Sequence, residues 1–327
     1  MSGTLCTDAI RGRKGSSMHI IIVGSLNMDL VVRLPEIPPP GETRLGGVFQ
    51  SVPGGKGANQ AVAAARLGAH VTMIGCTGAD AFGLAMRDSL AREGVDISHV
   101  REAKDAATGV ALIEVDSGGR NSIAVAPGAN FRLSAADVEE AMASIGPFDA
   151  LVMPLETPIE TVEAAARIAS KRDSLVILNP APARTLGDDL LRRVDVLVPN
   201  EFELGSITGM ASGSLDDLRR AGAALLERGP GCVLITLGSR GALLLDGKTD
   251  QAKHIPSFPV EAVDTTAAGD CFVGALAVGL CQAMGLCEAA EYAVAAAAVS
   301  VTRFGAQPSL PSSTEVDQFL LERRGRP

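Results

Sequence analysis

The sequence predicts an α/β fold: a doubly wound, mostly parallel β-sheet flanked by helices, with a small β-sheet lid. Three observations predict it. Short runs of β-branched and other apolar residues alternate with longer stretches of helical pattern along the chain, the rhythm of strand–helix–strand units. Small residues dominate a chain that is 46% hydrophobic but only 3% aromatic, with no Trp, and small side chains let helices pack closely on a parallel sheet. Two hairpin-like stretches then break the alternation and supply the lid.

Taken in order, His19 to Val23 is a β-branched run that reads as a buried strand. Ala58 to Leu67 reads as a helix, His70 to Ile74 as a strand and Phe82 to Glu93 as a helix. Ser134 caps a helix from Ala135 to Ser144, with Asp137 at the capping-box position. Strand Ala150 to Met153, helix Ile159 to Lys171, strands Leu175 to Leu178 and Val194 to Val198, and helix Asp216 to Arg228 continue the rhythm. Strand Cys232 to Thr236 leads into a hairpin at Gly241 to Leu245. Helices from about Gly269 to Met284 and from Glu288 to Thr302 close the pattern.

The two interruptions are alike. Leu30-Val31-Val32 and Arg44 to Phe49 are strand-like and joined by Pro38-Pro39-Pro40-Gly41. Gly109 to Val115 and Asn121 to Ala126 are joined by Ser117-Gly118-Gly119. Together these lid segments, at about 30–50 and 108–126 of a single unit spanning 18–327, make a sheet too thin to stand alone. A lid over a cleft would cover its other face, and so would a dimer interface.

Bulk properties exclude several classes. A formal net charge of −9 argues against nucleic acid as a partner. The Cys residues, at 6, 76, 232, 271, 281 and 287, form no C-x-x-C pair, and His is too scarce for zinc spacing. They read as reduced thiols of a cytoplasmic protein. Residues 1–17 carry Arg11, Arg13 and Lys14 but no apolar core of a signal peptide, so they read as a disordered N-terminal extension or the product of an upstream start. Cys271 to Cys287 is uncharged but short for a membrane span and dotted with glycine, so it reads as a buried helix and not as a membrane anchor.

The chemistry concentrates at Asp264-Thr265-Thr266-Ala267-Ala268-Gly269-Asp270, directly before that helix. Small residues bring backbone N–H groups close to whatever lies above them, and the helix dipole adds to their pull on an anion such as a phosphate. Asp270 places a carboxylate beside the same site. That costs energy unless the carboxylate does chemistry, and its natural work is to take a proton from an attacking hydroxyl.

Other motifs sit at strand ends, where open α/β sheets bind ligands. Asn27 and Asp29 follow the first strand; alone, they read equally well as an ordinary turn. Gly54-Gly55-Lys56-Gly57 lacks the P-loop spacing. It reads either as a plain glycine turn or as a backbone that admits a polyol, with Lys56 and Asn59 donating to its hydroxyls. Glu156, Asn179 to Arg184, Val198 to Glu203 and Thr236 to Gly241 would rim the same cleft.

Three of these motifs, in this order, resemble the signatures of the ribokinase-like sugar kinases: Gly24-Ser25-Leu26-Asn27-Met28-Asp29, the run Gly54 to Gly68, and Asp264 to Asp270. The resemblance runs from about Met18 to about Phe319. It implies ATP-dependent phosphorylation of a sugar, D-ribose at O5 first, with Asp270 as base and the N–H groups around Ala267, Ala268 and Gly269 as anion hole. It implies sugar contacts from Asn27, Asp29, Gly55, Lys56, Gly57, Asn59 and Glu156. Nucleotide contacts would come from Asn200, Glu203, Thr236, Gly238, Ser239, Gly241 and Gly269, with Glu203 acting on Mg²⁺ through a water. A K⁺ would lie among Asp264, Ser309 and the carbonyls of Thr266, Ser300, Arg303 and Gly305, unless Asp264 merely caps its loop. The family also implies a homodimer formed through the lid. Departures are Val294, where a His near adenine is common, Cys271, where Thr is common, and Pro154, where a polar residue is expected. Kinases of the same fold for deoxyribose, a ketohexose or a nucleoside remain open, as does a silent sugar sensor.

Overall fold

The structure is a computed structural model that describes residues 18–118, 120–249 and 252–324. The N-terminal extension expected at 1–17 lies outside the described residues. In chain order the elements are β1 (His19–Val23), β2 (Asn27–Arg33), β3 (Val48–Gly54), α1 (Lys56–Arg66), β4 (His70–Gly78), α2 (Ala81–Arg92) and β5 (Asp96–Ala103). Then come β6 (Gly109–Val115), β7 (Asn121–Ala126), α3 (Ala135–Ser144), β8 (Ala150–Met153), α4 (Ile159–Lys171), β9 (Leu175–Leu178) and α5 (Asp188–Leu191). The chain continues through β10 (Val196–Leu197), α6 (Glu201–Thr208), α7 (Leu215–Leu226), β11 (Cys232–Thr236), β12 (Ala242–Asp246) and β13 (Ala252–Ile255). It ends in α8 (Ala268–Cys281), α9 (Leu286–Ser300) and α10 (Ser313–Arg324).

Nine strands form the main sheet in the order β13-β12-β11-β10-β9-β8-β1-β4-β5. The strands from β11 to β5 run parallel, and β12 and β13 add an antiparallel edge. Sequence alternation along β1 sends Ile20 and Ile22 into one core layer and Ile21 and Val23 into the other. The first layer packs under α1, α2, α8 and α9, the second under α3, α4 and α7. From β1 the chain goes outward to β4 and β5, then returns to β8 on the opposite side of β1. The strand ends around β1 and β8 are therefore the switch point, where this architecture opens a crevice.

The lid is a second sheet, ordered β3-β2-β6-β7. Both expected hairpins are present, joined by parallel pairing of β2 with β6. The second strand is displaced from the expected Arg44–Phe49: it runs Val48–Gly54 and pairs residue for residue with Asn27–Arg33. Pro53 masked it, but β3 is an edge strand, where a missing N–H is tolerated. Likewise β2 begins at Asn27, so Asn27 and Asp29 lie on a lid strand and not in a turn. β5, β13, α5, α6 and α10 have no counterpart in the sequence reading. No helix among the described residues is long and apolar enough to cross a membrane.

One close approach positions the site. α1 crosses α8 at Gly274, where a Cβ would lie 2.7 Å from Ala63 Cβ and 3.0 Å from the Gln60 carbonyl oxygen. Alanine is favoured over glycine in a helix by about 1 kcal/mol, but overpacking of this kind costs about 1–3 kcal/mol. The Gly274→Ala variant is therefore expected to lose up to about 2 kcal/mol in urea unfolding. A gain in stability would show that the two helices can part freely.

Candidate active site

The site begins where β1 stops. Gly24, Ser25 and Leu26 carry the chain from β1 into the lid strand β2, and α1 starts against them. Gly55 has a φ of 88° and caps α1. A Cβ on Gly57 would meet Ser25 N at 2.6 Å and Gly24 C at 2.7 Å, so only glycine allows this contact. The result is a backbone-to-backbone junction of β1, β2 and α1. Ser25 Oγ donates to Glu156 Oε2, and Lys56 N donates to the same oxygen at 3.1 Å. Glu156, just past β8, is thereby tied to the head of α1.

Asn27 and Asp29 share the lid strand. Asn27 Oδ1 accepts from Asn130 Nδ2 at 2.7 Å, and Asn130 Oδ1 accepts from Leu26 N at 2.8 Å. Asn130 was invisible in the sequence, because its partners lie more than 100 residues away. Asp29 is 8% exposed, and Gly54 on β3 lacks the side chain that would strike its carboxylate.

Asp270 stands in the first turn of α8. Asn59 Nδ2 donates to its Oδ2 at 2.9 Å, and Gln60 Nε2 donates to its Oδ1 at 3.1 Å. Both amides come from α1. Their own oxygens, Asn59 Oδ1 and Gln60 Oε1, are buried without a protein partner; such atoms in a cleft call for a ligand hydroxyl or water. Ala267 has a left-handed φ of 60°, and Ala268 N already donates to Thr265 O at 3.2 Å. Of the expected anion hole, Gly269 and Asp270 are thus left with N–H groups that no intrahelical acceptor can satisfy.

The electrostatics are dominated by burial. It raises the Asp270 carboxyl above the usual range, with the Glu156 charge adding to it, while Lys56 and the amides of Asn59 and Gln60 pull it back. Burial would lower the Lys56 ammonium, but Asp270, Glu156, Glu203 and Asp29 together raise it, so it stays charged. Glu203 is raised by burial and by Asp270, against its bond from Asn200 N and the charge of Lys56. Cys271, next to Asp270, is pushed up to about 12 by burial, which makes it a packing residue and no nucleophile at neutral pH.

Of the residues expected at the nucleotide, Asn200, Glu203, Thr236, Gly238, Ser239 and Gly241 lie on two adjoining strand ends. Asn200 bridges in parallel to Thr236, and Thr236 N donates to Pro199 O at 2.9 Å. Gly238 and Ser239 form a short turn after β11, closed by Gly241 with a φ of 90°. Asn200 and Glu203 also form a capping box, each side chain accepting the other's backbone N–H at 2.8 Å. Val294 is buried in α9. Around Asp264, one carboxylate oxygen accepts from Thr266 N at 2.9 Å and Thr266 Oγ1 at 2.6 Å, and the other accepts from Gly305 N at 3.0 Å. Those bonds join the two loops of the expected cation site. Ser300 and Ser309 are buried, their hydroxyls donating to Ala297 O and Ala306 O, and the Arg303 side chain turns to Glu315. Between the lid and these loops lies a cavity of about 940 Å³ with Asp29, Val31, Ile113, Asp264 and Phe304 among its walls.

The chain resembles known proteins over nearly its whole length. The pfkB family carbohydrate kinase profile matches residues 17–313. A ribokinase of Haemophilus influenzae is 42% identical over 301 residues, covering 92% of this chain and 98% of that protein. A deoxyribokinase of Salmonella typhi is 38% identical over 304 residues, covering 93% and 99%. The solved structure of Arabidopsis thaliana ribokinase complexed with ribose and ATP superposes with a TM-score of 0.85 at 32% identity, covering 93% of this chain and 99% of that one.

Asp29 gives the site a signature in pH. Burial, then the charges of Glu156 and Asp270, raise its carboxyl to about 7, against the pull of Lys56. A folded value above the unfolded one means stability is greatest below about pH 4 and is lost as pH climbs toward 7. Asp29→Asn removes that loss. Its stability advantage over the unsubstituted protein should widen by roughly 2 kcal/mol between pH 5 and pH 8. A gap in urea unfolding that stays constant across this range would overturn the assignment.

Proposed function

The chain belongs to the pfkB family of carbohydrate kinases, and from that premise we propose that it transfers the γ-phosphoryl group of ATP to O5 of D-ribose. The observation that carries this reading is the Asp270 carboxylate, buried at the head of α8 and held by two amides of α1. The ribokinase name of the Haemophilus relative and the ribose and ATP of the Arabidopsis complex support the choice of substrates.

In this reading the sugar lies under the lid. Asp29 and Glu156 accept from its hydroxyls, Lys56 donates, and Asn27 and Asn59 complete the set. Gly55 and Gly57 leave room for the ring to approach the backbone. Asp270 takes the proton of the primary hydroxyl as that oxygen attacks the γ-phosphorus in line. The N–H groups of Gly269 and Asp270 receive the charge on the transferring group. Positioning and electrostatics supply most of the catalysis in phosphoryl transfer. The rim formed by Asn200, Glu203, Thr236, Gly238, Ser239 and Gly241 holds the nucleotide.

Two ions fit the residues present. No cluster of three or more His, Cys, Asp or Glu among the described residues cages a metal, which suits Mg²⁺, an ion that keeps waters and phosphate oxygens around one or two carboxylates. Glu203 would hold it through water, and when bound it would neutralise phosphate charge. Asp264 would hold K⁺ with Ser309 and the carbonyls of Thr266, Ser300, Arg303 and Gly305, and the ion would stiffen the loop before α8. In support, Asp264 already joins both loops, and despite burial the donors of Thr266 and Gly305 keep its carboxyl low and ionised.

The outer lid surface bears on assembly. Phe49 and Leu112 lie on the lid face opposite Asp29 and are each more than half exposed, and exposed apolar side chains of that kind bury themselves against a partner. The lid is the surface of a homodimer in this proposal. Sedimentation should show a dimer, with Leu112→Glu shifting it to monomer; a monomeric parent protein would remove the dimer.

The decisive assay follows ADP release over D-ribose, 2-deoxy-D-ribose, ketohexoses and nucleosides, each with K⁺ and with Na⁺. D-ribose should turn over fast, and much faster with K⁺. The deoxyribokinase relative makes 2-deoxy-D-ribose the second substrate to watch; its preference over ribose would leave the kinase chemistry standing and replace the sugar. Asp270→Ala should fold and lose about 10²- to 10⁴-fold in kcat. Near-normal turnover in that variant would sink the assignment of the base.

A further inference from the structure

Gln60 is fully buried in α1 and is not among the residues assigned to the sugar or the nucleotide. Its Nε2 donates in two directions, to Asp270 Oδ1 and to Asn179 Oδ1, each at 3.1 Å. Asn179, just past β9, donates through Nδ2 to the backbone carbonyl of Val198 at 2.9 Å. We propose that Gln60 is a positioning residue for phosphoryl transfer, holding the Asp270 carboxylate in the orientation and ionisation that proton abstraction needs. The inference rests on the reading of Asp270 as the base.

The polarity of this chain of bonds is fixed from its far end. A backbone carbonyl can only accept, so Asn179 must turn its Nδ2 to Val198 and its Oδ1 to Gln60. That oxygen also accepts only, so Gln60 must present Nε2. Reversing the Gln60 amide would set its oxygen against both the Asn179 oxygen and the Asp270 carboxylate. The second proton on Nε2 therefore always faces Asp270. It favours the carboxylate over the acid, because a donor stabilises the charged form, and it occupies Oδ1. The incoming proton is left to the remaining lone pairs of the carboxylate, beside Asn59. Because Val198 leads into Pro199 and Asn200, the same bonds tie the base to the rim assigned to the nucleotide. The orphaned Gln60 Oε1 agrees with selection for its donor and not for its acceptor.

The test is the pH dependence of kcat/KM for D-ribose. Gln60→Met keeps the length and burial but removes the donor. Its acid limb should move up by about one pH unit, costing up to about tenfold in rate on the acid side of the limb and recovering on its alkaline side. Gln60→Glu keeps the shape, sets an acid facing Asp270, and should move the limb at least as far; it serves if the Met variant folds poorly. A merely structural role lowers the rate by the same factor at every pH, and an unmoved limb in a folded variant would overturn the inference. Asp270→Asn separates the two readings. If it is inactive while the Gln60 limb stays in place, only the inference fails; if it turns over normally, the base assignment falls and takes the inference with it.

Discussion

The site depends on one constraint: a carboxylate buried at the head of α8 must be compensated where it lies. An unpaired charge in such a place costs several kcal/mol and is avoided by neutralising the group. Here the compensation comes almost wholly from α1. Lys56 supplies the charge, and Asn59 and Gln60 supply two hydrogen bonds. The glycine-rich motif and the aspartate motif, more than 200 residues apart, are thus two halves of one arrangement. The side-chain-free crossing at Gly274 brings the halves within bonding distance.

The compensation is deliberately incomplete. Four carboxylates, on Asp29, Glu156, Glu203 and Asp270, act on Lys56. Burial raises Asp29, to about 7, and also Glu203 and Asp270, so the cleft gains negative charge as pH rises and then favours two kinds of visitor. In the proposed reading a neutral polyol donates hydrogen bonds to Asp29 and Glu156 at no Coulombic cost. A nucleotide is acceptable when its phosphates arrive with a cation. In the same reading a free sugar acid or sugar phosphate would meet repulsion at the sugar end.

Most of the fold was legible because its strands are short, buried and bounded by glycine, and because its helices are long. The parallel sheet, the capping box at Ser134 and the two-part lid all follow from local pattern. What escaped has physical causes. β3 carries polar residues and Pro53 because it is an edge. α10 is mostly polar, its apolar stripe reduced to Val316, Phe319 and Leu320. Asn200 and Glu203 were read for their chemistry, and the N-x-x-E spacing that opens α6 as a capping box went unread. Gln60 stood in a quoted motif without a role, and Asn130 in none. Their meaning lies in bonds to Asn179, Asp270 and Asn27 that span 103 to 210 residues, and no local pattern encodes a partner at that distance.

The lid strand β2 is held unequally at its two ends, and that inequality bears on how the site keeps its register. At its start, Asn27 is locked by buried bonds to Asn130, which also grips the Leu26 backbone. At its far end, the Arg33 guanidinium lies 5.0 Å from the centre of the Phe304 ring and 4.0 Å from the Asp264 carboxylate. A partly exposed contact of this kind is worth about 0.5–1 kcal/mol, little more than thermal energy. Six residues earlier, each bond made by Asn130 is shielded from water and far harder to exchange. Ladder pairing with β3 and β6 runs the length of β2, and the buried side-chain bonds of Asn130 add to it at the end that carries Asn27 and Asp29.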